Sequence, residues 1–384
     1  MSKHDSPSPD SLRAVEAVFE KNFAEREEIG ASVSIWKDGE EVLHLSRGHR
    51  DRKRTLPWEE NTIAPFWSAT KGLAATSTLT ALHEAGHGLE EPVISVWPEF
   101  GSGGKKGVTF AQVLSHQAGV PAVDKEVTMF DYPGVIAAIE AQAPLWFPGT
   151  KHGYHSRMFG FLLDEIVRRV SSAASLGEYW REKFAVPFGL DLWIGLPDSE
   201  HSRVAELTPG KLRDTGEETA FYQAFAKAGS LSRRTFGSPG GLGALTGMNE
   251  PEALRGGFPA LGGVGSARAL AKFYSLFATG SEVIPEKIRD AAATALVNGD
   301  DAVLLLPTSF SAGFMKDPVD SETGEKQRAI YGPSKAAFGH PGAGGSLGFA
   351  DPENGIAFAY VMNHLSYGVL PNVKAREMVD ALYA

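Results

Sequence analysis

Three short motifs in this chain each imply a chemistry, and no single active site can use all of them. Ser68-Ala69-Thr70-Lys71 is S-x-x-K, a serine nucleophile with a lysine base. His83-Glu84-Ala85-Gly86-His87 is H-E-x-x-H, the zinc-peptidase pattern. Gly344 to Gly348 reads GGSLG, the G-x-S-x-G of an α/β-hydrolase elbow centred on Ser346.

Each motif makes demands on its surroundings. The zinc pattern needs both histidines on one continuous helical face. Gly86 and Gly88 flank His87, and glycine there signals a helix end, so His87 is predicted to lie beyond it. No third ligand is evident downstream. The elbow needs a strand before its serine and a helix after it. Ser346 is followed instead by strand, turn and strand, and only Asp351 and His364 are left as triad partners. A glycine-rich strand approached closely by backbone or ligand is the simpler reading.

S-x-x-K occurs three times. Ser34–Lys37 lies on a predicted strand, where residues three apart point to opposite faces. Ser102–Lys105 lies in a glycine loop with nothing to fix its geometry. Ser68–Lys71 opens a predicted helix, where such residues are neighbours. That helix is apolar nearly all round, with Leu73, Ala74, Ala75, Leu79, Ala81 and Leu82, and carries no formal charge between Lys71 and Glu84. Such a helix is buried. Burial of Lys71 would lower its pKa toward that of a useful base. Free N–H groups at the helix start would serve an oxyanion near Ser68. On this stretch alone, a plain serine cap with a solvated lysine stays open.

The elements that must hold these residues follow from the pattern of the whole chain. It has 384 residues, 42% hydrophobic and 22% charged, enough for one large domain or two modest ones. The net charge of −10 argues against a nucleic-acid partner. With no cysteine, disulfides and thiolate chemistry are excluded. The start, MSKHDSPSPDS, has no apolar signal region, and no run approaches the about 20 apolar residues of a membrane span. A cytoplasmic protein without a membrane partner is expected.

Residues 10–28 read as an amphipathic helix with Leu12, Val15, Val18, Phe19 and Phe23 on one face, capped by Asp10 or Ser11. ASVSIWKDGEEVLHLSRG reads as a hairpin around Lys37-Asp38-Gly39-Glu40, and GSLGFADPENGIAFAYVMN as a second around residues 351–355. Residues 371–383 close the chain as a helix. The middle is mostly helix and loop, with glycine-rich connections at 101–107 and 237–247. The fold class is therefore α+β: an antiparallel sheet built from both termini, flanked by helices, with a large helical insertion. We take 1–384 as a single catalytic unit, with a sheet part (1–66 and 301–384) and a mainly helical part (67–300). The active site is expected in the cleft between them.

Four stretches in order, WSATKG, VLSHQAGVP (113–121), FPGTKHGYHS (147–156) and FGHPGAGGSLGFADP (338–352), carry a family resemblance. From about residue 12 to the end, the chain resembles the class C β-lactamase and penicillin-binding-protein-like serine hydrolases, and most of all the family VIII carboxylesterases. The resemblance implies that Ser68 is the nucleophile, with Lys71 and Tyr154 sharing its proton. Tyr154-His155-Ser156 matches the family's Tyr-x-Asn except at Ser156. His340-Pro341-Gly342 matches its third motif, and the backbone N–H groups of Ser68 and Ala343 would form the oxyanion hole. Ser156, His340 and Gly342 would then face substrate.

Blander roles stand beside these. Tyr154 could be a buried aromatic, Ser156 a helix cap and His340 a strand histidine. His116 reads as structural, and His152 and His155 lack further metal ligands. Trp67 and Trp146 read as packing, or as walls of an acyl pocket. The implied activity is hydrolysis of small, short-chain carboxylic esters through an acyl-enzyme, with no metal and no cofactor. β-Lactam or D-amino-peptide hydrolysis on the same residues is the alternative; a zinc peptidase or a non-catalytic binding module lies further off. The sequence sets no oligomeric state.

Overall fold

The computed structural model describes residues 7–211 and 216–384. The first six residues of the polar opening stretch lie outside it. Helix α1 (Pro9–Glu25) is capped by Ser8 rather than by Asp10 or Ser11. The Ser8 hydroxyl accepts from Ser11 N at 3.1 Å, and Pro9 sits in the first turn, where a missing N–H costs nothing. The helix stops before residue 28 because Glu27 turns left-handed (φ 58°) and the Arg26 and Glu28 N–H groups both fold back onto Asn22 O. Val15 and Phe19 are buried, with Leu12, Val18 and Phe23 packed at the edge of the core.

Strands β1 (Gly30–Lys37) and β2 (Glu40–Gly48) form the first hairpin. Asp38 (φ 51°) and Gly39 (φ 89°) are both left-handed, as a two-residue turn matching strand twist requires. Strands β3 (Val297–Asp300), β4 (Pro307–Phe310), β5 (Met315–Lys316), β6 (Phe338–Pro341), β7 (Leu347–Asp351) and β8 (Ile356–Met362) come from the C-terminal part. All eight join one sheet in the order β2-β1-β8-β7-β6-β5-β4-β3, every pair antiparallel. The two ends of the sequence meet where Ala31 pairs with Met362 and Lys37 with Ile356.

Helices cover both faces, so both sets of alternating side chains are buried. On one face, the Tyr360 phenol and Lys374 Nζ (2.8 Å) share the Glu28 carboxylate, tying β8 to the segment that follows α1 and to the closing helix, Val373–Leu382. On the other lies a helix of residues Ala267–Ala278: a Cβ on Gly348 would stand 2.6 Å from the Tyr274 ring and 3.0 Å from Leu270. Leu347, not Gly348, is the register partner of Tyr360, so these contacts fall on opposite faces.

Helix α2 (Thr70–Glu84) runs through the helical part and is buried all round from Thr70 to Leu79, as its composition predicts. The Thr76, Ser77 and Thr78 hydroxyls bond back to Gly72 O, Leu73 O and Ala74 O at 2.8–2.9 Å, so these three hydroxyls are satisfied within the helix. Among the described residues, no helix is long and apolar enough to cross a membrane.

Candidate active site

Ser68 lies in a single 3-10 turn, Trp67–Ala69, that feeds α2. Two devices set this turn. Trp67 takes a left-handed backbone (φ 49°), a costly choice for a bulky residue. The preceding Phe66 N donates to Gly263 O at 3.0 Å, and Gly263 N donates to Thr70 Oγ1 at 2.8 Å. A short strand, Gly263–Gly265, thus grips the turn on both sides of the serine. Ser68 is no helix cap, because Ala69 holds that position.

Lys71 is fully buried. Its Nζ stands 3.1 Å from Ser68 Oγ, 2.9 Å from Ser156 O and 2.8 Å from Ala260 O. Desolvation holds its pKa well below the usual lysine value. The geometry suits a neutral amine: two N–H groups go to the two carbonyls, and the lone pair faces the serine hydroxyl. It also suits the ammonium, whose third N–H then points at Ser68 Oγ.

Tyr154 is buried beside the pair. Its hydroxyl is hydrogen-bonded to Ser68, and burial pushes its pKa up. The ring lies 4.8 Å from Lys71 Nζ and stacks at 6.2 Å on Phe310 of β4. Ser156 serves Lys71 through its carbonyl, and it does not cap the helix that follows, whose cap position is Arg157. His340, on β6, places its ring 5.9 Å from that of Tyr154. Its Nδ1–H donates to Pro341 O at 2.7 Å, leaving Nε2 buried without a partner. Burial, then the charge of Lys71, lowers its pKa to about 3, opposed by the Pro341 bond.

Gly342 brings the β6–β7 turn against the serine turn. A Cβ on it would lie 2.1 Å from Phe66 O, so any other residue forces the two turns apart. The turn is closed by Gly342 N donating to Ser346 O at 2.7 Å and held from outside by Ser366 N and Asn372 Nδ2 on Gly344 O. Within the set Ser68, Lys71, Tyr154, Ser156, His340, Gly342 and Ala343, only Ser68 and Ala343 keep part of their surface open.

The other motifs are not drawn into this cluster. Helix α2 ends at Glu84, Gly86 is left-handed (φ 81°), and His87 turns to Glu91 at 2.8 Å. Glu84 is held by Tyr179 and Lys183 at 2.9 and 2.8 Å. Asp351 takes Asn354 and Tyr383 at 2.7 and 2.8 Å, and His364 bonds Thr208 at 2.9 Å, so neither is set beside Ser346 as a triad partner. His155 has both nitrogens on backbone, Gly153 O and Val120 N. Trp146 is buried edge-on to His155.

Two side chains escaped the sequence reading. Lys105 is not in a loose loop: its buried Nζ donates to Ser102 O at 2.7 Å, Glu140 O at 3.1 Å and Gln142 O, and burial lowers its pKa to about 8. Asp301, buried after β3, receives Tyr154 N at 3.1 Å on both carboxylate oxygens. Nothing in the local sequence at 298–304 marks it.

An antiparallel sheet with helices on both faces and a serine–lysine pair against a sheet turn is the β-lactamase/transpeptidase-like architecture. The Beta-lactamase family profile matches residues 15–383, and the chain belongs to that family. It is 31% identical over 392 residues to Esterase/beta-lactamase LipL of Mycobacterium tuberculosis (strain ATCC 25618 / H37Rv), covering 95% of this chain and 86% of LipL. Among solved structures it is similar to a family VIII carboxylesterase, at 32% identity and TM-score 0.85 over 100% of this chain and 99% of that one. It is likewise similar to a penicillin-binding protein homologue from Caulobacter crescentus, at 37% identity and TM-score 0.84 over 98% and 97%. The chain is therefore a serine hydrolase of the esterase or β-lactamase kind.

Proposed function

We propose that this protein is a serine carboxylesterase that hydrolyses small, short-chain carboxylic esters through an acyl-enzyme. The observation that carries the reading is Lys71, buried, with two bonds on backbone carbonyls and its remaining position on Ser68 Oγ at 3.1 Å. A solvated lysine would be protonated and no base; this one is desolvated and placed.

Ser68 Oγ attacks the ester carbonyl carbon while its proton passes to Lys71 Nζ. The oxyanion is received by the backbone N–H groups of Ser68 and Ala343, the two residues of the cluster open to solvent. The tetrahedral intermediate collapses, the C–O bond to the alcohol breaks, and the proton held on Lys71 returns through the Tyr154 phenol to the departing alkoxide. Water then attacks the acyl-enzyme, Lys71 takes its proton, and Ser68 leaves reprotonated. Lys71 is the principal base in this scheme and Tyr154 the proton donor, because burial pushes their pKa values in opposite directions, down and up. Apart from substrate and the attacking water, each step uses side chains and backbone of this chain.

Ester preference rests on His340. A β-lactam brings a carboxylate, and His340 is neutral where the lactamase pattern has lysine. The decisive experiment is intact-protein mass spectrometry after incubation with a fluorophosphonate, followed by peptide mapping. One label on Ser68 is the expected result. A label elsewhere, or none on folded protein, overturns the reading.

A further inference from the structure

The segment that presents Tyr154 is held by its backbone from two sides. Gly153 N donates to His116 O at 3.1 Å, and His155 N donates to His116 Nδ1 at 3.1 Å. Between them Tyr154 N donates to both oxygens of Asp301 at 3.1 Å. Three consecutive N–H groups thus end on two side-chain-bearing residues far away in sequence. His116 adopts a left-handed backbone (φ 62°), rare for a histidine, and packs its ring 5.1 Å from that of Tyr154. Asp301 is fixed in turn by Val303 N and Leu304 N at 2.8 Å and by Thr308 Oγ1 at 3.2 Å. Among the described residues it has no ion-pair partner.

We propose that Asp301 and His116 are the positioning residues of Tyr154, two jaws that set where its phenol stands beside Ser68. This deepens the esterase reading and rests on it. Geometry alone would make any acceptor pair sufficient; a buried carboxylate does more, because its charge opposes formation of tyrosinate. It adds to the burial that already holds the phenol protonated. The other titratable groups facing Tyr154 are Lys71 from α2, the flanking His155, His116, His340 from β6, and Tyr331. Burial holds His155 down at about 4 and His340 at about 3, with His116 well below the usual histidine value, so none of the three changes charge above neutral pH. The β3–β4 connection supplies Asp301, and β4 supplies Thr308 behind that carboxylate and Phe310 against the Tyr154 ring.

The test is steady-state kinetics on a short-chain aryl ester, with active sites counted by fluorophosphonate labelling, for wild type, Asp301→Asn and His116→Phe. Asparagine at 301 keeps one acceptor for Val303 N and Leu304 N but removes the charge and one acceptor for Tyr154 N. Phenylalanine at 116 keeps a ring against Tyr154 but removes the Nδ1 acceptor of His155 N. Both variants should lose tenfold or more in kcat per labelled site, with KM within about twofold. An unchanged kcat per labelled site in either variant, or a change confined to KM, overturns the proposal. Should Asp301→Asn not fold, His116→Phe decides alone. A wild type that neither labels at Ser68 nor turns over esters sinks the esterase reading instead, which keeps the two failures distinct.

Discussion

Gly342 and Phe66 touch through bare backbone: a Cβ at 342 would lie 2.1 Å from the Phe66 carbonyl oxygen. Phe66 is two residues before Ser68, and Gly342 is one before Ala343, so this contact sets the spacing of the two amides assigned to the oxyanion. Gly342→Ala should therefore lower kcat about 10²-fold or more, the usual cost of one misplaced oxyanion donor, while KM changes little. Wild-type kcat in folded Gly342→Ala would remove the oxyanion role from this turn.

Ser68→Ala should abolish ester hydrolysis and fluorophosphonate labelling. Ser346→Ala should keep both, because Ser68 has Lys71 at 3.1 Å whereas Asp351 and His364 are bonded to other residues. Labelling lost in Ser346→Ala and kept in Ser68→Ala would reverse the assignment.

Lys71→Ala and Tyr154→Phe should each cost on the order of 10² or more in kcat, as loss of general acid–base help does. The double variant should fall little further than the worse single one, since both groups serve one proton relay. Fully multiplicative losses would mean two independent roles.

Lys71 also ties stability to pH. Its folded pKa lies well below the unfolded value of 10.5. Between those two values the unfolded chain binds the extra proton, so stability rises with pH across that window. The contribution is complete only above the unfolded value and is lost as pH falls toward the folded one. The melting temperature of wild type relative to Lys71→Met should thus rise between pH 7 and pH 10. A difference independent of pH would show that Lys71 is not buried uncharged.

A short-chain aryl ester and a cephalosporin, compared by kcat/KM, should differ widely in favour of the ester. His340, lowered to about 3, offers no cation to a lactam carboxylate. His340→Lys should narrow the gap by raising lactam turnover. A cephalosporin value at or above the ester's in wild type would make β-lactam hydrolysis the activity.

The parts of this site legible in sequence were those with local causes. Lys71 stood out because an apolar helix surrounds it, and both terminal hairpins announced themselves through Asp-Gly and Asn-Gly turns. Tyr154 has no local signature; only the order of four motifs pointed to it. Asp301 could not be read at all, since its partner Tyr154 lies 147 positions earlier and the pairing exists only once β3 and β4 join the sheet. Lys105 was misread for a related reason. Gly103 and Gly104, left-handed at φ 65° and 95°, bend the loop so that the lysine meets carbonyls at 140 and 142. The helix cap at Ser8 was missed because Pro9 moves the start one turn position earlier than Asp10 suggests.

The pairing of β1 with β8 has a consequence for how the protein is born. The hairpin β1–β2 leaves the ribosome well before the partner for its inner edge, Ile356–Met362, which is made about 300 residues later. At about 5–20 residues per second, that edge waits on the order of tens of seconds with its N–H and C=O groups unpaired. Over the same interval Ser68 and Lys71 exist without the turn at 342–346. A translation product stalled before β6 carries Ser68 without the turn proposed to hold the oxyanion, so the main hazard of such partial chains is association through an open strand edge.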